Sequence, residues 1–270
     1  MTIATEGGVE TATTTMRAVQ IGQYGGDEVL ALAEVARPTP GPGQLLVQVA
    51  GAGVNYYDVK IREGWLSQFF PLRFPHTLGN DFAGTVVAVG EGVEGYAPGD
   101  SVFGLITVFH GGTYAEYLAV DAALVRRAPA NLPLADVAAM PMVFTTAWIA
   151  LVEHGKIAPG NRVLIHAGAG GVGGAAIQLA KHFGAHVVAT CSTNNCEFLY
   201  NLGADEVIDY TASDFRHMAG TVDLAVDVIG GDTNLRTFEV MRPGGVIAVV
   251  LRNDPVEMAN RERLCAEHNV

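Results

Sequence analysis

The chain has 270 residues, of which 49% are hydrophobic, 16% are charged and 33 are glycine. This composition predicts one or two densely packed α/β domains with many tight turns, and it excludes a disordered or coiled-coil chain. The formal net charge of -12 argues against a nucleic acid or an anionic membrane as the main partner, because such surfaces bind clustered Lys and Arg.

The first half of the chain predicts a β-rich unit. Residues 1–15 are expected to form a flexible tail, because they lack an apolar period. Strands separated by turn residues are predicted at 16–21, 30–35, 45–52, 82–89, 101–105 and 114–120, with a helix at 55–64. Several short strands at this spacing predict a partly open β-barrel-like unit over residues 16–134.

The second half, residues 135–270, alternates between helices and strands. Helices are predicted at 135–140, 145–154, 172–183 and 260–268, and strands at 163–166, 186–190, 206–209, 222–229 and 246–251. Gly184 and Gly203 stand where helix C-caps belong. This alternation predicts an α/β fold with a doubly wound parallel sheet, whose ligand lies beyond the carboxyl ends of the strands. A dinucleotide-binding sheet usually has a sixth strand, which would begin near Val270.

A glycine-rich segment joins the first of these strands to its helix. Its glycines follow the pattern Gly-x-Gly-x-x-Gly, and the residues predicted to bind a pyrophosphate are Gly168, Gly170, Gly171, Val172 and Gly173. A helix begins here, and its free N–H groups and positive dipole end attract phosphate. Two alternatives remain open, namely a tight turn in another α/β protein and a methyltransferase loop that holds an adenosyl ligand.

The residues after the second strand of this half distinguish NAD from NADP. NAD-specific folds carry an acidic residue about 20 positions after the glycines. Residues 189–195 contain no carboxylate, whereas Ser192, Thr193 and Asn194 are able to donate hydrogen bonds to a 2′-phosphate. The sequence therefore favours NADPH.

Three cysteines, Cys191, Cys196 and Cys265, lack metal-ligand spacing with histidines and are interpreted as reduced thiols. The N-terminus has no positive segment followed by an apolar core, and no run of about 18 apolar residues occurs. We therefore expect a cytoplasmic protein without a secretion signal or a membrane span.

Six segments carry a family resemblance: 53–64 (GVNYYDVKIREG), 74–84 (FPHTLGNDFAG), 98–104 (PGDSVFG), 111–117 (GGTYAEY), 146–148 (TAW) and 169–173 (AGGVG). Together they resemble the medium-chain dehydrogenase/reductase superfamily, in particular its zinc-free quinone oxidoreductase branch of zeta-crystallin-like proteins and alkenal/enone reductases. The resemblance implies a GroES-like N-terminal unit and a Rossmann NADP-binding domain. It also implies an NADPH-dependent reduction of a quinone, or of the C=C bond of an α,β-unsaturated carbonyl.

The resemblance also implies roles for individual residues. Asn55 and Asn80 stand where zinc-dependent relatives carry metal ligands, so no catalytic zinc is expected. Asn55 would orient the substrate carbonyl or the nicotinamide ribose, and Lys60 would stabilise a developing enolate; alternatively, both are solvated helix residues. Thr146 would lie near the nicotinamide or cap a helix. Tyr210 would contact the 2′-phosphate region. Many relatives have Lys where Cys196 stands, so a positive charge that would pair with the 2′-phosphate is missing here.

Two further expectations concern the whole protein. Relatives continue beyond the nucleotide domain, so the chain is expected to be a fragment of a longer reductase, with a natural short form as the alternative. The family suggests a homodimer. Competing functions are an enoyl-thioester reductase of polyketide or fatty-acid synthesis and a protein that binds NADPH without catalysis.

Overall fold

A computed structural model describes residues 14–69, 71–107, 111–250 and 255–270, and its contacts divide the chain into two compact units after Met142. Most of the predicted tail, residues 1–13, lies outside the described residues. The elements of the first unit are β1 (Thr15–Ile21), β2 (Leu30–Ala36), β3 (Gln44–Gly51), α1 (Tyr56–Arg62), β4 (His76–Thr77), β5 (Asp81–Val89), β6 (Ser101–Leu105), β7 (Tyr117–Asp121), β8 (Val125–Arg127), α2 (Leu134–Val137) and the start of α3 (Pro141–Trp148).

The first unit consists of two antiparallel sheets. Their strand orders are β2-β1-β4 and β7-β3-β5-β6-β8, and both sheets are open in the described part of the chain, as the sequence predicts. Leu45 and Val47 lie on the same face of β3 and pack against Phe82 of β5 in the core. Helix α2 belongs to this unit although the sequence was divided after residue 134, because Val137 and Ala138 pack against Ala83.

The second unit contains a parallel sheet with helices. Its elements are the rest of α3, which continues as a π-helical turn (Ile149–His154), then β9 (Arg162–Ile165), α4 (Gly171–His182), β10 (His186–Cys191), α5 (Cys196–Asn201), β11 (Glu206–Asp209), α6 (Phe215–Met218), β12 (Val222–Asp227), α7 (Gly231–Thr237), β13 (Met241–Val249) and α8 (Pro255–His268). The strand order is β11-β10-β9-β12-β13, with every pair parallel.

Both faces of this sheet are covered, as expected for a doubly wound fold. Val163 and Ile165 of β9 pack in one core cluster with Ala176 of α4, whereas Leu164 packs with Phe215 of α6 in a second cluster. Successive strand residues point to opposite faces, so an uninterrupted apolar strand needs two apolar layers. The chain runs from β9 outward to β11 and returns at β12, so the strand order reverses beside β9. A doubly wound sheet binds its ligand at this position.

Several predicted boundaries are shifted in the structure. Helix α3 begins at Pro141, four residues before the predicted start at 145, because proline is favourable in a first helical turn. The predicted strand 114–120 begins only at Tyr117, since Gly111 and Gly112 adopt positive φ and the turn extends further. Strands β4 and β8 were not predicted, because two or three residues carry no measurable period.

Candidate functional sites in the two units

The glycine loop lies between β9 and α4. Gly170 is the N-cap of α4 with extended backbone (φ -79°, ψ 167°), and its N–H donates to the carbonyl of Ala167 at 2.9 Å. Ala167 itself adopts a left-handed conformation (φ 50°). This tight turn places the N–H groups of residues 171–173, which have no intrahelical acceptor, beyond the carboxyl end of β9.

The glycines of this loop serve different structural purposes. A Cβ atom at Gly173 would overlap the carbonyl oxygen of Ala167, and one at Gly168 would lie 2.8 Å from Leu199 Cδ2. Those two glycines allow the helix and the strand to pack closely. A Cβ atom at Gly170 would meet only the Ala167 carbonyl oxygen, 3.3 Å away, among the described residues. The space before Gly170 is therefore open to a phosphate that approaches the backbone.

A cavity of about 670 Å³ lies at the same edge of the sheet. Its wall includes Ala167 after β9, Thr190 near the end of β10, Tyr210 after β11 and Ile229 after β12. The Tyr210 side chain is exposed. The structure thus brings Tyr210 to the same cavity as the start of the glycine loop, as expected for a ligand that crosses the strand ends.

The residues predicted to contact a 2′-phosphate lie in a short turn after β10. Ser192 Oγ accepts a hydrogen bond from Asn195 Nδ2 at 3.0 Å. The Thr193 hydroxyl donates to Asp209 Oδ2 at 2.6 Å, so this hydroxyl is already engaged. Hydrogen bonds from Thr193 and Thr211 hold the pKa of Asp209 below its usual range, and this carboxylate is charged at neutral pH.

Sequence reasoning missed Asp209, because it scanned only the end of β10 for an acidic residue. Asp209 is the last residue of β11, and the parallel pairing places it opposite Cys191, the last residue of β10. The signal was available in the sequence, since the carboxyl ends of neighbouring parallel strands meet at one edge. The candidate site for the 2′-phosphate of NADPH therefore contains a negative charge, Asp209, that was not predicted from the sequence.

Thr146 lies inside α3, so the alternative that it caps a helix is wrong. The residue is half-buried and lines another cavity of about 540 Å³, together with His154 and residues 246–250 at the end of β13. Its predicted proximity to the nicotinamide stays a prediction.

A buried polar cluster in the first unit surrounds Asn55. The Asn55 N–H donates to Asp58 Oδ2 at 2.8 Å, and its amide Nδ2 donates to Asp81 Oδ2 at 2.9 Å. The Tyr114 hydroxyl also donates to Asp58 Oδ2 at 2.8 Å, and the Met142 N–H donates to Asp81 Oδ1 at 2.9 Å. Asp58 therefore makes a structural hydrogen bond at the start of α1, and Asp81 fixes the orientation of the Asn55 amide.

Burial dominates the electrostatics of this cluster. Asp58 is 4% exposed and Asp81 is fully buried. Desolvation raises the pKa of Asp81 to about 6 against hydrogen bonds that favour the charged form, and it raises the pKa of Asp58 as well. Asp58 Oδ1 is buried without a hydrogen-bond partner among the described residues. The cluster thus holds two carboxylates whose charged forms are disfavoured by burial and whose pKa values are raised.

Lys60 lies on α1 beside two exposed aromatic side chains. Its Nζ atom is 5.1 Å from the ring centroid of Tyr56 and 5.9 Å from that of Trp65. These distances are within reach of cation–π attraction. Lys60 is half-buried, and the ring faces orient its ammonium group. The structure therefore places Lys60 on the same helix that Asn55 begins.

No group of three His, Cys, Asp or Glu side chains is arranged to hold a metal ion within the described ranges. At the two positions implied for zinc ligands, Asn55 donates to Asp81 and Asn80 Nδ2 donates to the carbonyl of Ile106 at 3.1 Å. Zinc independence stays a prediction. In the part of the chain that the structure describes, no helix is both long enough and apolar enough to cross a membrane.

The fold and the glycine loop define a two-unit α/β protein with a dinucleotide-binding type of sheet. Residues 41–130 match the family model described as the alcohol dehydrogenase GroES-like domain, and residues 171–257 match the model described as zinc-binding dehydrogenase. The chain belongs to the medium-chain dehydrogenase/reductase superfamily, a family that binds a nicotinamide cofactor.

Two curated plant relatives illustrate the similarity. The chloroplastic quinone-oxidoreductase QR1 of Triphysaria versicolor is 39% identical over 201 residues, which cover 72% of this chain and 61% of the relative. The 2-methylene-furan-3-one reductase of Solanum lycopersicum is 39% identical over 245 residues, which cover 87% of this chain and 62% of the relative. The chain thus spans about three fifths of the length of these relatives.

Solved structures show the same fold over most of the chain. The quinone oxidoreductase from Coxiella burnetii is 31% identical with a TM-score of 0.79, covering 94% of this chain and 89% of that chain. The CurK enoyl reductase is 28% identical with a TM-score of 0.81, covering 93% and 78%. The Escherichia coli quinone oxidoreductase complexed with NADPH is 26% identical with a TM-score of 0.79, covering 91% and 78%.

Proposed function

We propose that this protein is a zinc-independent, NADPH-dependent oxidoreductase that reduces a quinone or the C=C bond of an α,β-unsaturated carbonyl. The observation that carries the proposal is the glycine loop, in which packing requires Gly168 and Gly173 while the space before Gly170 is open. Relatives named as quinone oxidoreductases and as a furanone reductase support the substrate class.

The residues present fit a nicotinamide dinucleotide, because helix N–H groups after an open glycine are a phosphate-binding arrangement. When bound, the nicotinamide supplies a hydride. The N–H groups of residues 171–173 would bind the pyrophosphate, and Tyr210 would contact the adenosine end of the dinucleotide. Ser192 and Asn194 offer donors for the 2′-phosphate. Thr146 is proposed to contact the nicotinamide.

The first unit supplies polar groups for the substrate. Asp81 accepts one hydrogen of the Asn55 amide, which fixes the plane of the amide. The remaining polar atoms of this amide are proposed to bind the substrate carbonyl or the ribose. When hydride adds to the carbon β to a carbonyl, negative charge develops on the carbonyl oxygen. The Lys60 ammonium group would stabilise that charge, and a proton from solvent would then add to the carbon α to the carbonyl, which completes the reduction.

Three finer assignments belong to this proposal. NADPH is preferred over NADH because the turn after β10 contains no acidic residue. The negative charge of Asp209 weakens this preference for NADPH. A homodimer is proposed from the family resemblance. A cytoplasmic location is proposed from the three cysteines, which are interpreted as reduced thiols, whereas the relative QR1 is chloroplastic. Similarity to the CurK enoyl reductase favours one second candidate, the reduction of an enoyl thioester.

The test compares two substitutions at one position. Gly170→Asn and Gly170→Asp both introduce a residue suited to an N-cap, where the observed φ of -79° accepts a side chain. The Asp variant adds a negative charge to the phosphate position, so its Kd for NADPH should rise at least tenfold above that of the Asn variant. Fluorescence titration with NADPH and NADH measures this difference.

Turnover is then measured with an enone, a quinone and a crotonyl thioester, each with NADPH. Reduction of the enone or quinone supports the proposal, and reduction of the thioester alone supports the second candidate. NADPH affinity unchanged from the wild type in the folded Gly170→Asp variant would exclude the glycine loop as the pyrophosphate site. Binding without any turnover would favour a non-catalytic role.

A further inference from the structure

Two of the cysteines form a close pair at the end of β10. Cys191 is the last residue of β10 and is 2% exposed, and Cys196 is the first residue of α5 and is half-buried. Their Sγ atoms lie 3.7 Å apart. A disulfide bond is about 2.05 Å long, so the two sulfur atoms need to approach by only about 1.6 Å to become bonded.

We propose that Cys191 and Cys196 form an oxidisable dithiol whose disulfide weakens dinucleotide binding. The four residues between them include Ser192 and Asn194, to which the proposed function assigns contacts with the 2′-phosphate. The effect on binding therefore rests on that proposed function. Formation of the disulfide itself rests only on the geometry of the two thiols.

The order of the chemical steps follows from burial. Burial and the neighbouring Cys196 raise the pKa of Cys191 to about 12, so Cys191 is a poor first nucleophile. The half-buried Cys196 thiolate attacks a low-molecular-weight disulfide such as oxidised glutathione, forming one S–S bond and releasing one glutathione thiolate. Cys191 then loses its proton and attacks the Cys196 sulfur, releasing the second glutathione. Two electrons and two protons pass from the dithiol to the oxidant.

Disulfide formation alters the turn that the dithiol encloses. In the reduced chain, Cys196 Sγ donates to the Ser192 carbonyl oxygen at 3.9 Å, and the Asn195 N–H donates to the same oxygen at 2.9 Å. The disulfide removes the first of these contacts and pulls the start of α5 toward β10. Thr193 is held separately by Asp209, so the turn must deform between these two fixed points. By linkage, a bound dinucleotide must oppose oxidation by the same factor.

The experiment oxidises the full chain with oxidised glutathione, blocks the remaining thiols with N-ethylmaleimide and locates disulfides by peptide mapping. NADPH affinity is titrated before oxidation, after oxidation and after re-reduction with dithiothreitol. We expect a Cys191–Cys196 disulfide, a Kd for NADPH raised about tenfold, and recovery on reduction. Cys196→Ser is expected to lose this response, and Cys265→Ser, the matched control elsewhere in the chain, is expected to keep it.

Each other outcome decides against part of the inference. Glutathione attached to Cys196 without an intramolecular disulfide overturns the dithiol. A mapped disulfide with unchanged NADPH affinity overturns the effect on binding, as does an equal loss of affinity in Cys196→Ser. A reduced chain that binds no dinucleotide refutes the proposed function and with it the regulatory effect, while the peptide map still decides the dithiol independently.

Discussion

Asp58 and Asp81 show what individual residues of the first unit contribute. Both carboxylates accept two hydrogen bonds, yet burial still raises their pKa values. Asp81 accepts a hydrogen bond from the Asn55 amide, and this contact orients the N-cap residue of α1, which the proposed function assigns to the substrate carbonyl or the ribose.

The raised pKa of Asp81 predicts a pH dependence of stability. Its pKa changes from 3.8 to about 6 on folding, so between these pH values the folded chain binds more protons than the unfolded chain. The contribution of Asp81 to the free energy of unfolding therefore falls as pH rises through this window, by up to about 3 kcal/mol. Urea unfolding of the wild type and of Asp81→Asn from pH 4.5 to 7.5 measures it as the difference between the two chains.

Asp100→Asn is the matched control, because hydrogen bonds from Arg127 lower the pKa of Asp100. Its ionisation is complete below this window, so the difference between wild type and Asp100→Asn should be constant from pH 5 to 7.5. An equally constant difference for Asp81→Asn would contradict the assignment of a raised pKa to Asp81.

Parallel strands explain why residues distant in sequence meet at the candidate cofactor site. β9, β10 and β11 run in one direction, so the loop after Ile165, the turn after Cys191 and the side chain of Asp209 lie at one edge. Helix α4 adds its N-terminus to this edge. The site is therefore a property of the sheet rather than of any single motif.

Asp209→Asn is expected to increase the preference for NADPH over NADH. The change removes a negative charge that lies 2.6 Å from the Thr193 hydroxyl. The amide oxygen still accepts that hydrogen bond, whereas the Thr211 N–H and hydroxyl lose Oδ1 as their acceptor. NADPH affinity should rise about threefold to tenfold, while NADH affinity changes less, because only NADPH carries the 2′-phosphate. Competitive titrations at fixed ionic strength measure the ratio; an equal change for both dinucleotides would place Asp209 away from the 2′-position.

The strongest periodic signals predicted the elements of the sheet well. The apolar runs of β9, β10 and β12 and the amphipathic period of α4 were recognised, and Gly184 and Gly203 adopt the expected positive φ after their helices. Sequence did not reveal the π-helical turn Ile149–His154, which lacks a distinct period. The asparagine and aspartate cluster was also missed, because Asn55 and Asp81 are brought together only by the pairing of distant strands and a helix start.

At the scale of the molecule, the chain is two compact units with separate cores. The glycine loop, Ser192 and Tyr210 belong to the second unit, and Asn55 and Lys60 belong to the first. Cofactor binding and substrate polarisation are therefore assigned to different units, and each can be measured separately.

Dinucleotide binding should stabilise the second unit first. A ligand that binds only the folded state at 100 times its Kd adds about 2.7 kcal/mol to the free energy of unfolding. Hydrogen exchange is measured with and without NADPH. The largest decrease in amide exchange rate on binding should occur in β9, α4 and β10, where the loop and the turn are anchored. Gly170→Asp should show no such gain; protection confined to residues before Met142 would contradict the assignment.

The packing role of Gly173 has a consequence for descendants and relatives of this chain. The Ala167 carbonyl occupies the space of a Cβ atom at Gly173 whether or not a ligand is present, so folding alone preserves that glycine. A protein that had lost the ability to bind its cofactor would still keep most of the Gly-x-Gly-x-x-Gly pattern. Position 170 is then the informative one. A Cβ atom there would lie 3.3 Å from the Ala167 carbonyl oxygen, so the loop needs only a small adjustment to accept a side chain. That side chain would occupy the space proposed for the phosphate, and surveys that seek lost enzymes in this superfamily should examine this position first.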